Sequence, residues 1–277
     1  MDRPVVTLTT IPPRFGKIRA TLESLLSQSL RPARIQLYIP ARYRRFPDWD
    51  GRLPKVPKGV QVVRCDRDYG PATKVLPAAR AHRAAGRALA FCDDDRAYAP
   101  DWLERLVEAG RARPDHAVAF LGFDVETVTG AAPPAARPGP RAVRRWRTTD
   151  AEFQARLALR RISEGRDAPE PGRRVFRKSG LVDIFEGCAG VLVRADQFDE
   201  TAFAIPNRAW AVDDVWLSGM LARRGIPIWL QANTREPELT AAEAMAPLVT
   251  AEIDGMRRAE ANRAAIEYLQ QHFGIWR

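Results

Sequence analysis

Three consecutive carboxylates, Asp93-Asp94-Asp95, follow directly on the run Arg87-Ala88-Leu89-Ala90-Phe91-Cys92. A short unbroken apolar run reads as a strand buried on both faces, as in a parallel sheet covered by helices. Such sheets take their ligands just beyond the carboxyl ends of the strands. Strand alternation would aim Asp93 and Asp95 one way and Asp94 the other. Two carboxylates aimed at one point repel unless a proton or cation lies between them. An all-oxygen site of this kind suits Mg²⁺ or Mn²⁺, with phosphate oxygens completing the shell. Asp93 and Asp95 are therefore the expected metal ligands; the plainer alternative is a solvated acidic turn.

A second acidic pair, Asp213-Asp214, opens a stretch with Val212, Val215, Trp216 and Met220 at helical spacing. Acidic residues there can serve as caps and complement the helix dipole, or do chemistry. Lys74 lies in Tyr69-Gly70-Pro71-Ala72-Thr73-Lys74, ahead of an Ala-rich helix. Pro71 fits the first helical position, although Pro77 allows a later start. A cation in a first turn opposes the dipole and gains most where an anion is bound.

The elements that must hold these residues alternate strand and helix. Strands are expected at 4–10, 34–40, 59–65, 88–92, 117–123, 181–185 and 226–230. Helices are expected from Phe15 to Ser29, from Ala99 to Ala109, from Ala211 to a stop at Gly225, and over most of Thr240 to Phe273. The pattern predicts an α/β fold, a mostly parallel central sheet flanked by helices, in a single domain. Glu186-Gly187-Cys188-Ala189-Gly190 sets two glycines before an apolar run, the mark of a backbone passing close to something. Pro, Gly and Ala crowd 130–140, and a helical pattern at 152–162 breaks again at 165–174. The stretch 130–180 is therefore expected to be a basic, flexible insertion between halves 1–125 and 181–277.

At 277 residues with 45% hydrophobic and 28% charged side chains, the composition is that of a globular protein. No apolar run reaches bilayer-spanning length and no signal-peptide core is present, which points to a cytoplasmic protein. Three cysteines, Cys65, Cys92 and Cys188, lack metal-ligand spacing and read as buried reduced thiols. The net charge of +10 would suggest nucleic acid, but 131–180 alone holds 13 Lys or Arg against 5 Asp or Glu. The rest is near neutral, so a specific nucleic-acid partner is not expected.

Five stretches, VVTLTTIPPRF at 5–15, CDRDYGPATK at 65–74, FCDDD at 91–95, FEGCAGVLVR at 185–194 and VDDVWLSGMLARRGIPI at 212–228, together resemble the nucleotide-sugar-dependent glycosyltransferases of the GT-A fold, family 2 in particular. They span nearly the whole chain except the basic segment and the C-terminal helix. The resemblance implies that the turn Thr9, Thr10, Ile11 and Pro12 cradles the nucleotide base and that Asp66 accepts from base or ribose. It implies that Asp93-Asp94-Asp95 is the DXD motif, with Asp93 near ribose and metal, Asp94 on the donor side and Asp95 on the metal that bridges both phosphates. Lys74 and Arg14 become partners of the diphosphate. Asp213-Asp214 matches the acidic pair that supplies the base, Asp214 ahead of Asp213; Asp stands at the first place where the family often has Glu.

Sugar transfer makes the same demands. The diphosphate leaves once its charge is offset, and the acceptor hydroxyl needs a carboxylate base on the opposite face of the sugar. The expected activity is therefore metal-dependent, inverting transfer from a nucleotide-diphosphate sugar, UDP-sugar favoured, to a glycan or lipid-linked acceptor. The basic segment suits an acidic acceptor or peripheral contact with the inner membrane face. His272 is a further residue to consider as a metal ligand. A sugar nucleotidyltransferase would carry a Gly-rich basic loop after the first strand, where Ile11-Pro12-Pro13-Arg14 stands instead. A non-catalytic nucleic-acid-binding protein is the other alternative.

Overall fold

The computed structural model describes residues 3–134, 137–248, 253 and 255–277. Its centre is an eight-stranded sheet of β1 (Val5–Thr9), β2 (Arg34–Pro40), β3 (Val60–Cys65), β4 (Ala88–Phe91), β5 (Ala117–Ala119), β6 (Gly180–Val182), β7 (Val191–Arg194) and β8 (Ile228–Leu230). The strands lie in the order β6-β8-β5-β7-β4-β1-β2-β3. Only β6 and β7 run against the other six, so the sheet is mostly parallel, as expected. Flanking helices are α1 (Arg19–Leu26), α2 (Leu76–His82), α3 (Trp102–Ala112), α4 (Ala151–Glu164), α5 (Asp213–Arg223) and α6 (Arg258–Phe273).

The central strands are the apolar ones. All of β4 is buried, and Val5, Val6 and Leu8 of β1 are too. β3, at the edge, is only half-buried and carries Gln61 and Arg64, polar residues that discourage a further strand from pairing. β1 pairs with β2 on one side and β4 on the other, so the chain reverses its winding between β1 and β4. A crevice opens at such a reversal, beyond the strand ends. Both Thr9-Thr10 and the acidic triplet lie at that place.

Several expectations are corrected. β4 ends at Phe91 and the three aspartates form a turn, so strand alternation does not set their directions. The first helix is confined to Arg19–Leu26, because Pro12–Arg14 forms a separate 3-10 turn. Gly70–Lys74 is likewise a 3-10 turn, and α2 starts only at Leu76, with Pro77 in its first turn. Near the C-terminus the helix starts at Arg258, and 241–246 is made of turns and bends ahead of Pro247; of the expected span, 249–252 and 254 lie outside the described residues. Cys65, Cys92 and Cys188 are all unpaired, Cys92 buried and the other two half-buried.

The basic stretch contains α4, as its pattern predicts, and a short ribbon of Val143–Arg144 with Phe176–Lys178. Several of its charges are spent in ion pairs: Arg137 pairs with Asp124, Glu126 and Asp183 of the body and Arg141 with Asp124 and Asp183, while Arg174 pairs with Glu152 inside the stretch.

Candidate active site

A cavity of about 360 Å³ opens at the carboxyl ends of β1 and β4. Its wall holds eight acidic side chains, Asp68, Asp93, Asp94, Asp95, Glu186, Asp213, Asp214 and Glu243, against five basic ones, Arg14, Arg45, Lys74, Arg96 and Arg258. A protein with a formal charge of +10 has thus built an acidic hollow.

Each group is set by a short local device. Lys74 ends its 3-10 turn and is buried, with Nζ donating to Asp93 Oδ1 at 2.7 Å. The same Nζ lies 2.9 Å from Asp213 Oδ2, a close ion pair without hydrogen-bond direction, and 3.8 Å from Asp214 Oδ1. Burial works against its charge, but the three aspartates more than offset that and lift the Lys74 pKa well above its ordinary value. The ammonium therefore stays charged and ties the acidic turn to the start of α5.

Asp94 is the buried member of the triplet. Arg14 Nη1 donates to its Oδ1 at 2.5 Å and Thr10 Oγ1 to its Oδ2 at 2.5 Å. Burial nonetheless raises its pKa to about 6. Arg14 also lies 3.0 Å from Asp95 Oδ2 and donates through Nε to the carbonyl of Met245 at 3.0 Å. The other oxygen of Asp95, Oδ1, is buried with no hydrogen-bond donor; the nearest cation is Arg96 at 3.5 Å. Burial and then the neighbouring Asp93 raise the Asp95 pKa.

Asp213 and Asp214 form the first turn of α5, where the dipole favours a negative charge. Asp214 Oδ1 accepts the Gly187 amide at 3.0 Å, and Oδ2 lies 3.8 Å from Arg258 at the start of α6. Burial, then the Asp213 charge, raise the Asp214 pKa to about 7, with Lys74 and Arg258 opposing. A general base works best when its pKa lies near the working pH.

The two glycines of the FEGCAG run are explained by contact. A Cβ on Gly187 would sit 2.6 Å from Lys74 Nζ, and one on Gly190 would sit 2.3 Å from the Trp102 indole nitrogen, at φ +106°. A side chain at 187 would thus expel the lysine from its place among the aspartates.

Of the residues singled out in the sequence, Thr9, Thr10, Ile11, Arg14, Lys74, Asp93, Asp94, Asp95, Asp213 and Asp214 all line this one cavity. Pro12 and Asp66 do not; Asp66 is exposed. Asp68 lines the wall instead, fixed by the Arg44 and Gly70 amides, both at 2.7 Å. His272 lies off the cavity, stacked on Tyr268 with ring centroids 3.8 Å apart. Sequence reasoning passed over Glu186, Arg96 and Arg258, and the apolar end of the cavity formed by Tyr43, Phe46, Pro71 and Trp210. Glu186 was readable as a lone acid beside a glycine in an apolar stretch; Arg258 has no local signal at all.

The wall offers carboxylates of the hard-oxygen type that a divalent ion takes. The donor-less Oδ1 of Asp95 and the Asp93 carboxylate offer hard oxygen ligands in an acidic hollow. Among the described residues no three His, Cys, Asp or Glu side chains close around a common point. Mg²⁺-type ions commonly take one or two carboxylates, with water and phosphate supplying the rest.

The fold and cavity define an α/β protein with an acidic site at the strand ends. Residues 14–197 match the family described as Glycosyl transferase family 2, and the chain belongs to that family. It is a glycosyltransferase, and the family in general uses nucleotide-sugar donors and glycan acceptors. Two solved structures give the level of likeness elsewhere. The chain is similar to 4-diphosphocytidyl-2C-methyl-D-erythritol synthase at 13% identity and TM-score 0.43, over 88% of this chain and 94% of that one. It is similar to S. aureus TarS 1-349 at 11% identity and TM-score 0.44, over 98% of this chain and 72% of that one. No curated protein matches the sequence.

Proposed function

We propose that the cavity binds a nucleoside-diphosphate sugar, UDP-sugar favoured, and passes the sugar with inversion to a glycan or lipid-linked hydroxyl. The observation that carries this reading is that the acidic turn, Lys74 and the acidic start of α5 meet in one cavity, with Asp214 poised near neutral pH. Three more acidic than basic side chains line the wall, so a diphosphate entering alone would be repelled.

Asp93 and Asp95 are the residues to hold Mn²⁺ or Mg²⁺, whose chemistry would be to offset charge on the leaving diphosphate. Lys74 adds a fixed positive charge beside Asp93. Asp94, locked by Thr10 and Arg14, keeps the turn in shape. Tyr43, Phe46 and Trp210 offer apolar faces for a planar base, with Asp68 as acceptor for its N–H or for ribose. Thr9, Thr10 and Ile11 border the same space.

In the transfer itself the acceptor oxygen attacks the anomeric carbon as the bond to the diphosphate oxygen breaks. The hydroxyl proton goes to Asp214, and the nucleoside diphosphate leaves with the bonding pair. The Gly187 amide and Arg258 hold the Asp214 carboxylate in orientation. Asp213 stays as the counter-charge to Lys74. The test is a pair of variants: Asp95→Ala should lose metal-dependent UDP binding, and Asp214→Asn should keep it while losing transfer. Turnover by Asp214→Asn at the wild-type rate would place the base elsewhere.

A further inference from the structure

The inserted stretch carries a surface that no other described part of the chain covers. Helix α4 turns Phe153 and Leu157 inward, where both are buried. Its opposite face is apolar as well: Ala151, Ala155, Ala158, Leu159 and Ile162 fall on one helical stripe and all five are exposed. Leu159 is 66% exposed and Ile162 83%. The Gln154 amide of the same helix donates to the carbonyl of Arg147, which ties the residue after Trp146 to the start of α4. Trp146 is 79% exposed. The three most exposed large hydrophobic side chains among the described residues therefore belong to one segment.

Not all of the segment's charges are spent within the protein. Arg161, Arg166, Arg177 and Lys178 are exposed and have no carboxylate partner among the described residues, unlike Arg137, Arg141 and Arg174 nearby. An apolar helical stripe in a segment that also carries an exposed tryptophan and unpaired cations has the composition of a surface that lies in the headgroup region of a bilayer. A second copy of the same basic face would be repelled. No helix among the described residues is long and apolar enough to cross a membrane, so contact by this face would be peripheral.

We propose that this face docks the enzyme on an anionic lipid surface. Trp146, Leu159 and Ile162 enter the headgroup layer, and Arg161, Arg166, Arg177 and Lys178 meet lipid phosphates. The inference is independent of which donor the cavity takes, and it would place the cavity near lipid-linked acceptors.

The test is co-sedimentation of the full chain with vesicles of phosphatidylcholine alone or mixed with phosphatidylglycerol. The protein should pellet with the mixed vesicles, far less with phosphatidylcholine alone, and less as salt is raised. Replacing Trp146, Leu159 and Ile162 together by Ser should lower the partition coefficient at least ~10-fold. Reversing Arg161 and Arg166 to Glu should lower it independently, and decides the matter if the triple variant fails to fold. UDP binding should be unchanged in both. Failure of the wild type to bind anionic vesicles would overturn the proposal, as would variants that bind like wild type. So would sedimentation equilibrium showing that the stripe closes a dimer, with vesicle binding unaffected by its loss.

Discussion

Asp214 is where burial, charge and chemistry meet, and its titration can be followed. Burial raises its pKa to about 7, so folding disfavours the carboxylate. The group thus contributes stability that is fully present below about pH 4 and is lost as pH rises through about 7. Urea denaturation of wild type and Asp214→Asn should therefore run parallel below about pH 4 and separate between about pH 4 and 7, with wild type losing more, and the gap should stay constant above that. With Asp214 as the proposed base, transfer would need the carboxylate, so the acidic limb of kcat/KM should lie near pH 7. Arg258 opposes the rise, so Arg258→Ala should move that limb to higher pH, whereas a merely structural role for Arg258 would lower the rate without moving it. Gly187 is a second lever. Alanine there meets Lys74 Nζ, and a misplacement of about 1 Å at a proposed site residue can cost ~10²-fold in rate. Steady-state kinetics of Gly187→Ala at unchanged folded content checks this.

The elements explain why much of this was legible and where it was not. The buried parallel strands announce themselves as apolar runs, and the cavity follows from where β1 and β4 end. The glycine pair at 187 and 190 correctly signalled close approach, although its partners, Lys74 and Trp102, come from distant stretches. Gly190 combines a left-handed φ with that contact, so Gly190→Ala should destabilise by more than ~2 kcal/mol, read as a lowered urea midpoint. The resemblance pointed to Asp66, whereas Asp68 lines the cavity, because the turn after β3 decides which of the two faces inward. The alternation argument for Asp93 and Asp95 failed for a related reason: the strand stops at Phe91. Arg14 and Arg258 take their roles from tertiary packing, through Asp94 and Asp214, which no local pattern encodes.

For the whole molecule, the net charge is a poor guide to the site. The +10 total is concentrated in the inserted stretch and partly neutralised by pairs with Asp124, Glu126 and Asp183, while the cavity itself is acidic. A nucleotide should therefore bind weakly until a cation joins it. Binding to the folded state alone raises stability by ~2.7 kcal/mol at a hundredfold excess over Kd. UDP and Mn²⁺ together should accordingly raise Tm by several degrees, and either alone by much less. The most direct measurement combines this with turnover: UDP release from UDP-sugars in the presence of Mn²⁺, in wild type and Asp214→Asn, beside the UDP/Mn²⁺ thermal shift of each. Equal thermal shifts are expected, with a transfer rate at least ~10²-fold lower in the variant. Equal rates, or loss of the shift together with the rate, would contradict Asp214 as the base of a metal-assisted transfer.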